Sequence, residues 1–305
     1  MSQKCDPDEN CQTCSQSATC SVEEKAAHTE KKVAEKLACI KHRIMIMSGK
    51  GGVGKSTVAI NLGAVLAHQG LETGILDADI HGPNVPKMLG VEGRPIVSLE
   101  NSLRPVEPFS HLKLISMAFL LENPDNPIVW RGPLKHSAIQ QFIGDVGWGG
   151  LDYLIIDLPP GTGDEALSSA HVLKNVDGSI IVTTPQDVAL LDSRKAVNFS
   201  RTMGIPIIGI VENMSGLDCP HCGKAIPLFK IGGGEKAAME LRVPFLGRVP
   251  IDPDVVADCD SGVPVVLAHP DSPVAEAFQG IAMSCRDHVE KRSRPRTGPK
   301  RQPHP

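Results

Sequence analysis

No run of apolar residues in this chain approaches the roughly 20 that a helix needs to cross a bilayer, so no membrane is expected as a partner. An excess of one sign of charge is lacking as well. Lys and Arg number 31 against 35 Asp and Glu, a net charge of −4, which gives no reason to expect nucleic acid as the main partner. Residues 1–38 contain almost nothing that could build a core. The chain begins polar, acidic and cysteine-rich, whereas a secretory signal is basic and then apolar. A cytoplasmic location is the expectation these absences leave. What the chain does have is size. Its 305 residues at 41% hydrophobic content allow about two domains, or one large α/β domain with a substantial core. Nine cysteines in an intracellular chain point to metal or redox chemistry rather than structural disulfides.

The stretch Ser48-Gly49-Lys50-Gly51-Gly52-Val53-Gly54-Lys55-Ser56-Thr57 fills every fixed place of the phosphate-loop pattern G-x-x-x-x-G-K-[ST]. An apolar run, Ile44–Met47, precedes it and reads as a buried strand. Val58–Ala67 follows with helical spacing. A strand, a glycine turn and a helix aim several backbone N–H groups and a positive dipole end at one anion. Glycines are required where the backbone must curl around phosphate oxygens without an intruding Cβ. Lys55 then reaches the β- and γ-phosphates of ATP, and the Ser56 hydroxyl is placed to ligate Mg²⁺.

Downstream, strands alternate with helices. Thr73–Asp77 reads as a strand, and Asp79 follows its carboxyl end, where α/β sheets place ligands. There it could orient an attacking water or a water of the Mg²⁺ shell, with Asp77 the nearby alternative; His81 reads as a turn residue. The run Leu112–Leu121 adds a strand, and a helix opens near Trp130-Arg131-Gly132-Pro133 and continues to about Val146. Tyr153–Asp157 is an apolar strand ending in an aspartate, which makes Asp157 the Mg²⁺ carboxylate. The turn Pro159-Pro160-Gly161 beyond it is placed to sense a γ-phosphate. Ile180–Thr183, residues 206–211 and residues 245–250 read as further strands, and Ala189–Met203 as a helix. Asn213, just past one strand end, is placed to read a nucleotide base. This alternation predicts a mostly parallel sheet with helices on both faces. From Arg286 the chain turns basic and proline-rich and is expected to be disordered.

Two cysteine groups stand apart from this pattern. Cys5, Cys11, Cys14 and Cys20 fall in the spacing C-x5-C-x2-C-x5-C. Four thiolates that close suit a tetrahedral zinc or an iron–sulfur cluster, and the spacing alone leaves zinc, a cluster or free thiols open. A helix over residues 22–37 leads from this segment into the domain. The second group is Cys219-Pro220-His221-Cys222, a C-x-x-C pair able to share one metal ion, a cluster or a disulfide. His221 reads as exposed loop, Cys39 as a small buried residue, and Cys259 and Cys285 as core. The division that follows is 1–38 cysteine-rich segment and leading helix, 39–290 nucleotide domain, and 291–305 basic tail.

Lys50, directly after the first loop glycine, gives G-K-G-G-V-G-K-S. This resembles the deviant phosphate loop of MinD/ParA-like ATPases, in which the extra lysine crosses a dimer interface to the other subunit's nucleotide. Together with Trp130–Pro133, Asp157-Leu158-Pro159-Pro160-Gly161-Thr162-Gly163-Asp164, Asn213-Met214-Ser215 and Cys219–Cys222, the chain from about 39 to 285 is similar to the Mrp/ApbC-type P-loop ATPases, carriers of iron–sulfur clusters. The resemblance implies ATP and Mg²⁺ at Gly49, Lys50, Gly51, Gly52, Val53, Gly54, Lys55, Ser56, Thr57 and Asn213. It implies Lys50, Lys55, Asp79 and Asp157 as the hydrolytic residues, and apo iron–sulfur proteins as recipients. A homodimer would bring two copies of Cys219 and Cys222 to one bridging [4Fe–4S] cluster. The N-terminal cysteines are similar to those of the family's eukaryotic cytosolic branch, which hold a stable [4Fe–4S] cluster. There the first cysteine stands farther from the second than Cys5 does from Cys11. A partitioning or positioning ATPase of the MinD/ParA kind is the alternative, and it leaves the cysteines without a role.

Overall fold

The computed structural model describes residues 20–79, 82–99, 102–120, 132–219 and 221–293. Twelve strands are among them: β1 (Ile40–Ser48), β2 (Thr73–Asp77), β3 (Val97–Leu99), β4 (Ser102–Arg104), β5 (Val106–Phe109), β6 (Leu112–Ser116), β7 (Leu151–Asp157), β8 (Gly178–Thr183), β9 (Ile207–Glu212), β10 (Leu217–Asp218), β11 (Ala225–Ile226) and β12 (Phe245–Arg248). Eight of these form one sheet in the order β12-β9-β8-β1-β7-β2-β6-β5. Every pairing in it is parallel except β5 with β6, which runs antiparallel at the edge. β3 with β4 and β10 with β11 form separate two-stranded hairpins.

The central strands are apolar on both faces because helices cover both. Along β1, Ile44 and Ile46 point into one core, and Met45 and Met47 into the other. The first core is closed by α2 (Lys55–His68), α9 (Val265–Ala268) and α10 (Pro273–Ser293), with α3 (Val85–Met88) and α8 (Pro253–Ser261) at its edge. The second is closed by α1 (Val22–Ala38), α4 (Gly132–Gly144) and α5 (Asp164–Leu173), and α6 (Asp187–Thr202) and α7 (Gly233–Leu241) extend that layer over β8 and β9. Such two-sided burial explains why β2 and β8 read as continuous apolar runs rather than as alternation.

The leading helix is docked, not free-standing. Ser21 caps it with a capping box to Glu24, its Val33 and Leu37 are buried in the second core, and Lys32 pairs with Asp145 at 2.8 Å after α4. Three expectations need correction. Residues from Arg286 are helical through Ser293, because Val289 is fully buried and holds that turn of α10 on the core. Cys39 is exposed, not buried: as the residue that ends α1 it faces solvent, with its thiol donating to the Glu35 carbonyl at 3.7 Å. The run from Leu112 makes a strand only to Ser116, and a 3₁₀ turn, Met117–Leu120, follows. Residues 294–305, His81, Trp130 and Arg131 lie outside the described residues.

Candidate functional site

The phosphate loop, Asp77, Asp79, Asp157 and Asn213 gather at the carboxyl edge of the sheet. The phosphate loop leaves central β1. Asp157 ends the neighbouring β7, and Asp77 ends β2 beyond it, in register with Asp157. The Ala78 amide donates to the Asp157 carbonyl at 2.9 Å, and the Gly161 amide to the Ser48 carbonyl at 2.9 Å. The loop and the turn after β7 are thereby held to each other. Gly54 sits at φ +79°, as the residue before α2, and a Cβ there would lie 2.1 Å from Asn213 Nδ2. At Gly49 a Cβ would come within 2.2 Å of the Asp192 backbone on α6. Since backbone cannot yield as a flexible side chain can, Gly49→Ala should distort the loop while leaving the sheet intact. The expected result is a loss of nucleotide affinity of about tenfold or more with unchanged far-UV circular dichroism, measured by titration of ADP.

Lys55 is 7% exposed and Asp157 is fully buried. The Lys55 ammonium donates to Asp157 Oδ1 at 2.6 Å, and the Ser56 hydroxyl donates to Asp157 Oδ2 at 2.6 Å. A hydroxyl and a carboxylate side by side at the start of a helix are the hard oxygen donors that Mg²⁺ takes, so the residues present fit that ion. Asp77 is different. Burial, and next the Asp157 carboxylate, push it up to about 8. Its oxygens accept from the Ser116 hydroxyl at 2.7 Å and the Asp79 amide at 3.2 Å. Asp79, by contrast, lines a cavity of about 250 Å³ together with Lys50, Gly51, Gly52, Val53, Gly54, Lys55, Ser56, Thr57 and Pro160. Its Oδ1 accepts from the Gly82 amide at 3.2 Å.

A second, largely apolar cavity of about 470 Å³ adjoins the first, and Thr57 and Met88 line both. Its other walls include Asn213, Met214, Leu228, Phe229, Ile251 and Val255. Asn213 Nδ2 donates to the Val53 carbonyl at 2.9 Å, which ties the end of β9 to the phosphate loop. Met214 follows at φ +56°, a left-handed conformation that costs an L-residue about 1–2 kcal/mol and turns the chain sharply out of the sheet.

That exit leads to the cysteine pair. β10 and β11 form a short hairpin with Cys219 and Cys222 at its tip, Cys219 half-buried and Cys222 exposed. The Cys219 amide donates to the Lys224 carbonyl, and the Gly223 amide donates to the Cys219 carbonyl at 2.8 Å. The Cys219 sulfur accepts from the His221 amide, then the Cys222 amide, then the Cys222 thiol, and these hold its thiol below the usual cysteine range. Amides turned onto sulfur favour the thiolate, the form that binds metal. His221 is exposed. Cys285 is buried and pushed up to about 12 by its burial, and Cys259, at the rim of the apolar cavity, is pushed up to about 11 for the same reason first. Neither suits metal binding.

Of the N-terminal four, only Cys20 is described, one residue before the Ser21 cap; Cys5, Cys11 and Cys14 lie outside the described residues. Among the described residues no group of three or more His, Cys, Asp or Glu is arranged to hold a metal ion, so Cys219 and Cys222 stand as a pair without a third such residue beside them. Among them, too, no helix is long and apolar enough to cross a membrane. Sequence reasoning missed the apolar cavity and Glu212. The only signal for Glu212 was an acid ending an otherwise apolar strand.

Comparison with known proteins agrees with this geometry. A family model described as ParA, the NUBPL iron-transfer P-loop NTPases, matches residues 39–286. An iron–sulfur cluster carrier protein of Methanocaldococcus jannaschii is 48% identical over 284 residues, covering 93% of this chain and 97% of the relative. One of Saccharolobus solfataricus is 51% identical over 252 residues, covering 82% and 85%. Among solved structures, a nucleotide-binding protein of Archaeoglobus fulgidus in complex with ADP matches with a TM-score of 0.69 at 39% identity, over 76% of this chain and 91% of that one. The cell division ATPase MinD of Pyrococcus furiosus matches with a TM-score of 0.59 at 25% identity, over 83% and 99%.

Proposed function

Because this chain belongs to the NUBPL iron-transfer P-loop NTPases of the ParA class, we propose that it is an ATP-dependent iron–sulfur cluster carrier, with Cys219 and Cys222 as its transfer ligands. The observation that carries the reading is the cysteine turn, whose amides favour a thiolate and whose hairpin leaves the same strand end that holds Asn213 against the phosphate loop. A [4Fe–4S] cluster takes four thiolates. One chain supplies two at this turn, and a two-fold dimer supplies the rest. The four N-terminal cysteines are proposed to hold a second cluster within one chain. Apo iron–sulfur proteins are the proposed recipients and the cytoplasm the proposed location.

For the nucleotide, the phosphate-loop amides and Lys55 hold the β- and γ-phosphates, and the base enters the apolar cavity beside Asn213. Ser56 and Asp157 would hold Mg²⁺, which when bound neutralises phosphate charge. Asp79 orients the water that attacks the γ-phosphorus. The bond to the β–γ bridging oxygen breaks, and ADP and inorganic phosphate leave. Lys50 reaches the partner's nucleotide, which makes hydrolysis depend on the dimer and links it to a cluster held on the dimer axis. A MinD-like positioning role shares the fold but gives the cysteine turn nothing to do.

Anaerobic purification followed by iron, acid-labile sulfide and ATP-turnover assays tests the proposal. Iron and sulfide in equal amounts, with turnover of ATP, are expected. Stoichiometric zinc without sulfide would count against it.

A further inference from the structure

The residues between the two strands that follow the nucleotide site belong to two sites at once. β9 ends at Glu212, which is fully buried. From there residues 215–232 leave the sheet, carry Cys219 and Cys222 at the hairpin tip, and return. Both roots of this excursion are tied to the Glu212 carboxylate. The Ser215 hydroxyl and the Gly232 amide (2.8 Å) donate to Oε1, and the Gly234 amide donates to Oε2. Arg248 Nε stands 3.8 Å from Oε1. Two backbone bonds fix the outgoing root further, from the Ser215 amide to the Val249 carbonyl at 2.9 Å and from the Ile251 amide to the Gly216 carbonyl at 2.7 Å. A buried carboxylate that accepts several donors is costly to disturb, so the roots are the rigid part.

Between the roots the excursion is lightly packed. Every residue from His221 to Ile231 is exposed. Yet Leu228 and Phe229, six and seven positions after Cys222, form a wall of the apolar cavity next to the phosphate loop, although 57% and 37% of their surface still faces solvent. A flat aromatic ring entering that cavity would bury those two side chains. Burying that apolar surface favours the packed arrangement, and the segment's exposed ion pair from Lys230 to Asp187 at 2.5 Å is worth little against it. Fixed roots and a short chain mean that ordering the wall also orders the hairpin tip.

We infer that the base of a bound nucleotide packs on Leu228 and Phe229 and thereby sets the position of Cys219 and Cys222 in the same chain. The thiols then read nucleotide occupancy directly, before any change in how two subunits meet. Glu212 serves as the positioning residue that anchors both ends. This rests on the nucleotide reading above, since it takes the apolar cavity as the base site.

The test needs no cluster. In the iron-free full-length chain, the rate of iodoacetamide alkylation is followed residue by residue by peptide mass spectrometry, with no ligand, with saturating Mg·ADP, or with inorganic tripolyphosphate. Cys39, exposed at the opposite end of β1, is the reference thiol. ADP should slow Cys222 several-fold and leave Cys39 unchanged, and tripolyphosphate, which has no base, should slow neither. In the double variant Leu228→Ala/Phe229→Ala, ADP binds more weakly, and at concentrations that titration proves saturating it should leave the Cys222 rate as it was. ADP binding to the wild type with an unchanged Cys222 rate overturns this inference alone. So does an equal response to tripolyphosphate, or a double variant that keeps the response. A wild-type chain that binds no ADP overturns the nucleotide reading and this inference with it.

Discussion

Lys55→Ala is expected to abolish nucleotide binding, and Asp79→Ala to keep binding while losing turnover. In the proposed role the Lys55 ammonium would make charge-assisted bonds to phosphate, worth about 1.5–3 kcal/mol each. Losing two of them lowers affinity by roughly two to four orders of magnitude. The same change removes the cation from Asp157, which is fully buried. An uncompensated buried charge costs about 3–5 kcal/mol, so Lys55→Ala should also melt earlier, and affinity must be read below that transition. Asp79 lines the same cavity as Lys55 and Ser56, and its proposed role is toward the attacking water rather than toward bound phosphate. Removing a residue that orients or deprotonates the attacking water costs about 10²–10⁴ in rate and little in binding. Isothermal titration with ADP and a phosphate-release assay check both variants. Normal turnover in Lys55→Ala, or lost binding in Asp79→Ala, would reverse the assigned roles.

Cys222→Ala is expected to remove the cluster at the C-x-x-C turn completely while iron on the N-terminal cysteines stays. A pair of chains then offers two thiolates at this site where four are needed, and two cannot hold a [4Fe–4S] cluster. A bridging cluster would itself be a cross-link between subunits, so the dimer fraction of reconstituted protein should fall with it. ATP turnover should persist in part, because the nucleotide site is built from other residues. Iron per chain after anaerobic reconstitution and the mass by light scattering provide the readout. Unchanged iron and an unchanged dimer would show that Cys219 and Cys222 are not the bridging ligands.

The parts of this molecule that were legible in the sequence are those where a local pattern has one physical solution. The phosphate loop, the apolar strand ending at Asp157 and the strand over Thr73–Asp77 sit where their patterns put them, because glycine-rich turns and two-sided burial leave little choice. The antiparallel edge strand β5 and the hairpins were not legible. They are short and largely solvent-facing, so neither a buried apolar run nor a clean alternation marks them. The last turns of α10 looked like tail because basic residues dominate there, yet one buried side chain, Val289, holds them on the core. Glu212 and the wall of Leu228 and Phe229 were invisible for a related reason. Their partners come from opposite ends of a loop and from another strand, and no local spacing reports such a meeting.

The central claim is that this chain carries a cluster on Cys219 and Cys222 and gives it away under the control of ATP. Its most direct test is transfer. The anaerobically reconstituted wild type and Cys222→Ala are each mixed with an apo [4Fe–4S] enzyme, with and without Mg·ATP, and the enzyme's recovered activity is followed over time. The account predicts activation by the wild type at a rate that changes with ATP, and none by Cys222→Ala even though its N-terminal segment still holds iron. Activation by Cys222→Ala as fast as by the wild type would contradict it.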